Sequence, residues 1–160
     1  MKKVFIVLAL VLVLVAPLSA ARYSKTNGIG VGLSGGYPVS GVAFKYGMQD
    51  FRLVGTVGYS YGETSGLSAE LGAQYDVYQF DIGNLPFYVG AGVTGTFYTG
   101  LKFDNMSAGV LGNGYLSYFF EKLPIEVYLK AGLGYRFSLS ASGTGGFDYG
   151  VGLGALYYLD

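Results

Sequence analysis

Along most of the stretch from Gly28 to Leu159 every second residue is apolar, and the residues between are glycine or polar. That period constrains the fold more than any motif does. A helix would scatter the two classes around its circumference, whereas a strand separates them onto two faces. The clearest case is Ile125 to Leu139. Ile125, Val127, Leu129, Ala131, Leu133, Tyr135, Phe137 and Leu139 fall on one face. Glu126, Tyr128, Lys130, Gly132, Gly134, Arg136 and Ser138 fall on the other.

Seven further segments alternate in the same way: Gly28–Ser34, Gly41–Tyr46, Phe51–Tyr61, Leu67–Val77, Phe87–Phe97, the less regular Ala108–Phe120, and Phe147–Leu159. The second is short and the sixth is carried by Val110, Leu116, Tyr118 and Phe120 against Asn113 and Ser117. Connections are expected at Gly35–Pro38, Gly47–Asp50, Gly62–Gly66, Asp81–Pro86, Gly100–Asn105, Glu121–Pro124 and Ala141–Gly146, all rich in turn formers. None has room for a crossover helix, so the sequence predicts an eight-stranded antiparallel meander. Leu85-Pro86-Phe87 and Leu123-Pro124-Ile125 form a weak repeat, each opening a strand with proline.

A meander of eight strands closes into a barrel with either face outward. The polar face decides between them. A water-facing surface carries many Lys, Glu, Asp and Asn, yet only 12% of this chain is charged and it holds 28 glycines. Glycine suits a cramped interior. The apolar face is continuous, with Tyr46, Phe51, Tyr61, Tyr75, Phe87, Phe97, Phe120, Phe147 and Tyr157 near strand ends, a pattern similar to the two aromatic girdles of membrane barrels. The expected fold is therefore an all-β, eight-stranded, up-and-down transmembrane β-barrel. The alternative is a soluble, lipocalin-like barrel with the apolar face inside.

The first residues have a different pattern. Lys2 and Lys3 precede an unbroken apolar run from Val4 to Ala16, then Pro17 and the small residues Ser19, Ala20 and Ala21. This is the order of a cleaved secretory signal, and the run is too short for a spanning helix. Residues 1–21 are read as that signal and 22–160 as the barrel domain. Without Lys2 and Lys3 the domain has eight basic and ten acidic residues. That balance argues against a nucleic-acid partner.

With these features the chain resembles the small outer-membrane barrels of the OmpA and OmpX type, as architecture across residues 22–160. The most specific element is the end of the chain. Gly154, Tyr157 and Leu159 match a barrel-assembly signal, in which bulky apolar residues follow a glycine at three and five positions; Asp160 departs from the usual aromatic ending. The resemblance implies location in the bacterial outer membrane, contact with its lipid, handling by barrel-assembly machinery and a monomeric state. No counterpart of the peptidoglycan-binding domain of some such proteins is expected within residues 22–160. The expected loops are shorter than is usual in that group.

The composition excludes much chemistry. With no Cys and no His there is no disulfide, thiolate nucleophile, Ser-His-Asp triad or ordinary catalytic zinc. No cofactor is expected. Gly32-Leu33-Ser34-Gly35-Gly36 fits a nucleophile elbow on paper, but the elbow needs a helix and a base. Gly30–Gly35 and Gly90–Gly95 fit a dinucleotide fingerprint, but their glycines alternate along strands. Some barrels of this type modify lipid A using a histidine, and this chain has none. It is read as no enzyme.

What remains is the charge on the polar face. Lys45, Arg52, Lys130 and Arg136 face Glu70, Asp76, Glu126 and Asp148, four of each sign. Buried charges survive when paired. The expected role is a structural, membrane-integrity barrel whose lumen is filled by a salt-bridge network. The alternative is a narrow pore or transporter for ions or small solutes. Closure of the barrel is expected to set Gly28, Gly30 and Gly32 beside Gly150, Gly152 and Gly154, a bare wall for long side chains to fill.

Overall fold

A computed structural model describes residues 27–48, 51–61, 65–83, 85–100, 106–120, 122–140 and 145–159. The expected signal, residues 1–21, lies outside them, as do Asp160 and parts of the expected connections. The described chain forms eight strands: β1 (Asn27–Tyr37), β2 (Ser40–Met48), β3 (Phe51–Ser60), β4 (Gly66–Ile82), β5 (Leu85–Gly100), β6 (Met106–Phe119), β7 (Ile125–Ser138) and β8 (Gly146–Leu159). Neighbours pair antiparallel in chain order and β8 pairs with β1, which closes the barrel.

The stagger can be followed once around. Tyr37 is opposite Val151, then Ala131, Gly114, Ala91, Tyr75, Phe51 and Met48 follow, and the circuit returns to β1 at Asn27. It returns ten positions from its start, so the strands must tilt, by roughly 35–45° in a barrel of this kind. We call the end holding Asn27, Met48, Phe51, Phe119, Ile125 and Leu159 the near end, and its opposite the far end.

The two faces separate as the period requires, with the apolar one outward. Leu71, Val93, Leu129, Leu133 and Leu153 are each more than half exposed, whereas Lys45, Arg52, Gln74, Glu126 and Asp148 are each at most 2% exposed. The usual inside and outside are exchanged. An interior this narrow holds side chains with little space between them.

The structure differs from the sequence expectation at three places. β1 runs through Gly36 to Tyr37, and the turn is Pro38–Val39; both residues are buried, folded into the far end rather than out of it. β4 does not stop near Val77. A bulge between Asp76 and Tyr78 lets it continue to Ile82, and it turns back through Gly83, whose φ of 65° favours glycine. The bare glycine wall does not form. The stagger sets Gly30 opposite Tyr158, Gly32 opposite Leu156 and Ser34 opposite Gly154, leaving Gly36 opposite Gly152 as the glycine pair. Bulk on one strand meets its absence on the next.

Candidate functional site

The lumen is the site. Alternation sends Lys45 of β2, Arg52 of β3, Glu70 and Asp76 of β4, Glu126, Lys130 and Arg136 of β7, and Asp148 of β8 inward, and the barrel brings them together in three groups.

The near-end group joins five strands. Lys45 Nζ lies 2.6 Å from Glu126 Oε1, and Arg52 Nη1 lies 3.7 Å from the same oxygen. Arg52 Nη2 is hydrogen-bonded to Asp76, and the Tyr158 hydroxyl donates to Glu126 Oε2. Lys45, Arg52 and Glu126 are thus almost completely desolvated, Asp76 keeps 11% of its side chain exposed, and the two cations face two anions. That is the condition under which burial of charge is tolerated. Aromatic rings complete the enclosure. Lys45 Nζ lies 4.2 Å from the centroid of the Tyr128 ring, and the Arg52 guanidinium 4.9 Å from that of Phe119. Ala43, Tyr88, Phe119, Tyr128, Leu156 and Tyr158 form a buried cluster around them.

The middle group is simpler. Lys130 Nζ donates to Glu70 Oε2, spanning the lumen from β7 to β4. Asn113 Nδ2 donates to Thr94 Oγ1 at 2.7 Å and to the Leu111 carbonyl. Between this pair and the near-end group lies a cavity of about 10 Å³ lined by Lys45, Thr56, Glu70, Tyr115, Tyr128 and Lys130. One water occupies about that much space; a hydrated ion does not fit.

At the far end Arg136 grips Asp148 with two hydrogen bonds, Nε to Oδ2 at 3.1 Å and Nη2 to Oδ1 at 2.7 Å. Arg136 Nη2 also donates to the Tyr37 hydroxyl at 2.6 Å, and the Tyr98 hydroxyl donates to Asp148 Oδ2. The guanidinium lies 4.6 Å from the Tyr98 ring centroid. Its side chain is 20% exposed, the most open of the paired cations.

The glycines on the polar face act as seats. A Cβ on Gly154 would stand 2.5 Å from the Tyr128 ring, and one on Gly30 would stand 2.9 Å from the Tyr158 ring. Both rings occupy space that a Cβ at these positions would take. The Lys130 stem crosses Gly152 in the same manner.

Of the lumenal aromatics, Tyr128 falls on the polar face of the sequence pattern, whereas Tyr88, Tyr98, Tyr115, Phe119 and Tyr158 are not marked by it. A signal was available in the doublets Phe87-Tyr88, Phe97-Tyr98, Phe119-Phe120 and Tyr157-Tyr158. In a strand one member of each doublet must face inward. Of the terminal-motif residues, Gly154 faces the lumen under Tyr128, and Leu159 is exposed on the outer face.

Among the described residues there is no group of three or more His, Cys, Asp or Glu that could hold a metal ion. The arrangement neutralises charge and fills space. Compared with known proteins, the chain matches no family model, no curated protein and no solved structure at a significant level.

Proposed function

We propose that this chain is an integral barrel of the bacterial outer membrane, similar in architecture to the OmpA and OmpX type, with a structural role and no turnover. The observation that carries this reading is the exchanged polarity: an apolar outer wall of exposed Leu, Val, Phe and Tyr around a lumen of paired charges. In water the exposed wall would favour association, whereas a bilayer solvates it. A closed barrel also leaves no unpaired edge around its girth, as a bilayer requires. Asn27 and Leu159 share the near end, which this reading assigns to the periplasm, with outer-membrane lipid and, during biogenesis, the assembly machinery as partners of the wall.

The packing at both ends of the lumen supports a non-conducting barrel. The near-end group, Phe119 and Tyr158 obstruct one end, and Pro38 and Val39 fold into the other. The test is a planar-bilayer recording on the refolded chain, alongside gel mobility with and without boiling. The expected results are a heat-dependent mobility shift and almost no steady conductance. A stable, ion-selective current would overturn the structural role in favour of a narrow pore. A mature chain that stays monomeric without detergent would overturn the membrane assignment.

A further inference from the structure

The near rim is not level. β3 begins at Phe51, opposite Tyr75, yet β4 runs on to Ile82 and returns as β5 from Leu85. With a rise of about 3.3 Å per residue and a tilt near 40°, this hairpin overhangs the β2–β3 turn by roughly 10 Å along the axis. Among the described residues its outer face is left open: Tyr78 is 66% exposed, Ile82 58% and Leu85 47%.

The bulge determines what that face contains. Unbroken alternation after the inward Asp76 would turn Tyr78, Phe80 and Ile82 toward the lumenal side. The register shift between Asp76 and Tyr78 instead pairs Tyr78 with Val89, Phe80 with Phe87 and Ile82 with Leu85, all on the outer side. Gln79 and Asp81 take the opposite face. The apolar wall therefore continues unbroken past the rim, with the polar residues kept off it. Its aromatics form a ladder onto the neighbouring strand: Phe80 to Phe87 at 5.8 Å, Phe87 to Tyr118 at 5.2 Å and Tyr118 to Phe120 at 4.9 Å between centroids. Rings of this kind gather at the boundary between acyl chains and headgroups.

We infer that the β4–β5 overhang is a one-sided lipid-contact element, its Tyr78–Phe80–Ile82–Leu85 face immersed in the acyl–headgroup boundary of the near-side leaflet while Gln79 and Asp81 face water. The inference rests on the membrane reading above and adds its partner at this rim. The occupant is lipid because the face is continuous in side and composition with the wall that the bilayer solvates. A second copy does not suit the overhanging edge of β4. A twofold axis along the membrane normal would cross two tilted strands at nearly a right angle, not align them for pairing.

The chain has no tryptophan, so one introduced Trp is an unambiguous reporter. Full-length Ile82→Trp, Leu85→Trp, Gln79→Trp and Val93→Trp variants are refolded into phosphatidylcholine vesicles. Emission is then quenched either by brominated acyl chains or by aqueous acrylamide, with heat-dependent gel mobility reporting the fold. Val93→Trp, on the wall of β5, reads insertion itself. The expected outcome is loss of emission to brominated lipid at residues 93, 82 and 85, and loss to acrylamide at residue 79. If residue 93 is quenched by lipid while 82 and 85 are quenched by acrylamide alone, this inference is overturned and the membrane reading stands. Protection of 82 and 85 from both quenchers would identify a protein contact and overturn it equally. No lipid quenching at residue 93 would remove the membrane reading on which it rests.

Discussion

The two ends of the lumen hold the same chemistry under different conditions. At the near end Glu126 is fully buried and shared by Lys45, Arg52 and Tyr158. At the far end Asp148 is held by Arg136 and Tyr98, and Arg136 also donates to the Tyr37 hydroxyl, but the Arg136 side chain is 20% exposed. A guanidinium that keeps some solvent loses less when its partner is removed. The near-end group is therefore expected to contribute more to holding the barrel together, and the far-end group to share in closing it.

The largest expected effect follows from breaking the near-end group. Glu126→Ala strands Lys45 and leaves Arg52 with Asp76 alone, a loss of about 3–5 kcal/mol for a buried pair. The unfolding midpoint in urea for the variant in lipid vesicles reads it directly. An unchanged midpoint would mean that the near end is hydrated and the two ends do not differ. Next in size is a charge on the opposite face of the same strand. Leu129 is 54% exposed on the outer wall of β7. Leu129→Arg is expected to cost about 2–4 kcal/mol in lipid if it sits near the bilayer midplane, and far less in water. The same variant therefore separates a membrane barrel from a soluble one.

These contrasts were partly legible in the sequence. The inward set of eight charges follows from parity alone, because Glu126, Lys130 and Arg136 share one phase of β7 and oppose Leu129. What parity does not encode is where the strands sit against each other. Gly28–Gly36 carries glycine at its inward positions save Ser34, so nothing in it shows that Tyr158 lies opposite Gly30. The bulge at Val77 was hidden for a related reason. The alternation changes phase there, and a change of phase reads equally well as the end of a strand. The rings inside the lumen were obscured by their outward neighbours, since a doublet such as Tyr157-Tyr158 looks apolar on both faces.

A smaller effect tests the hydroxyl at the near end. Tyr158→Phe removes a donor to the carboxylate of Glu126 while keeping the ring on Gly30. Hydrogen bonds to charged groups contribute about 1.5–3 kcal/mol, and Lys45 and Arg52 remain to compensate the carboxylate. The expected loss in the urea midpoint is therefore smaller than that of Glu126→Ala. A loss equal to it would show that the phenol, not the ion pair, fixes Glu126.

The smallest expected effect on stability is at the far end, where the same variants also test what closes the lumen. Arg136→Gln keeps a polar side chain of similar reach but removes the charge that Asp148 compensates. Arg136 is partly exposed but Asp148 is only 2% exposed, so the carboxylate relies on the Tyr98 hydroxyl and the introduced amide for compensation. The change in stability is expected to be about 1–2 kcal/mol, between the range of exposed ion pairs and that of fully buried ones. Conductance should not change either, since Lys130–Glu70 and the near-end group still fill the lumen below. A double variant, Arg136→Gln with Lys130→Gln, removes both cations between the mouth and the near-end group. If that variant conducts while each single one does not, closure is shared along the lumen. If Arg136→Gln alone conducts, the far end is the sole seal and the packed middle is less tight than its 10 Å³ cavity implies.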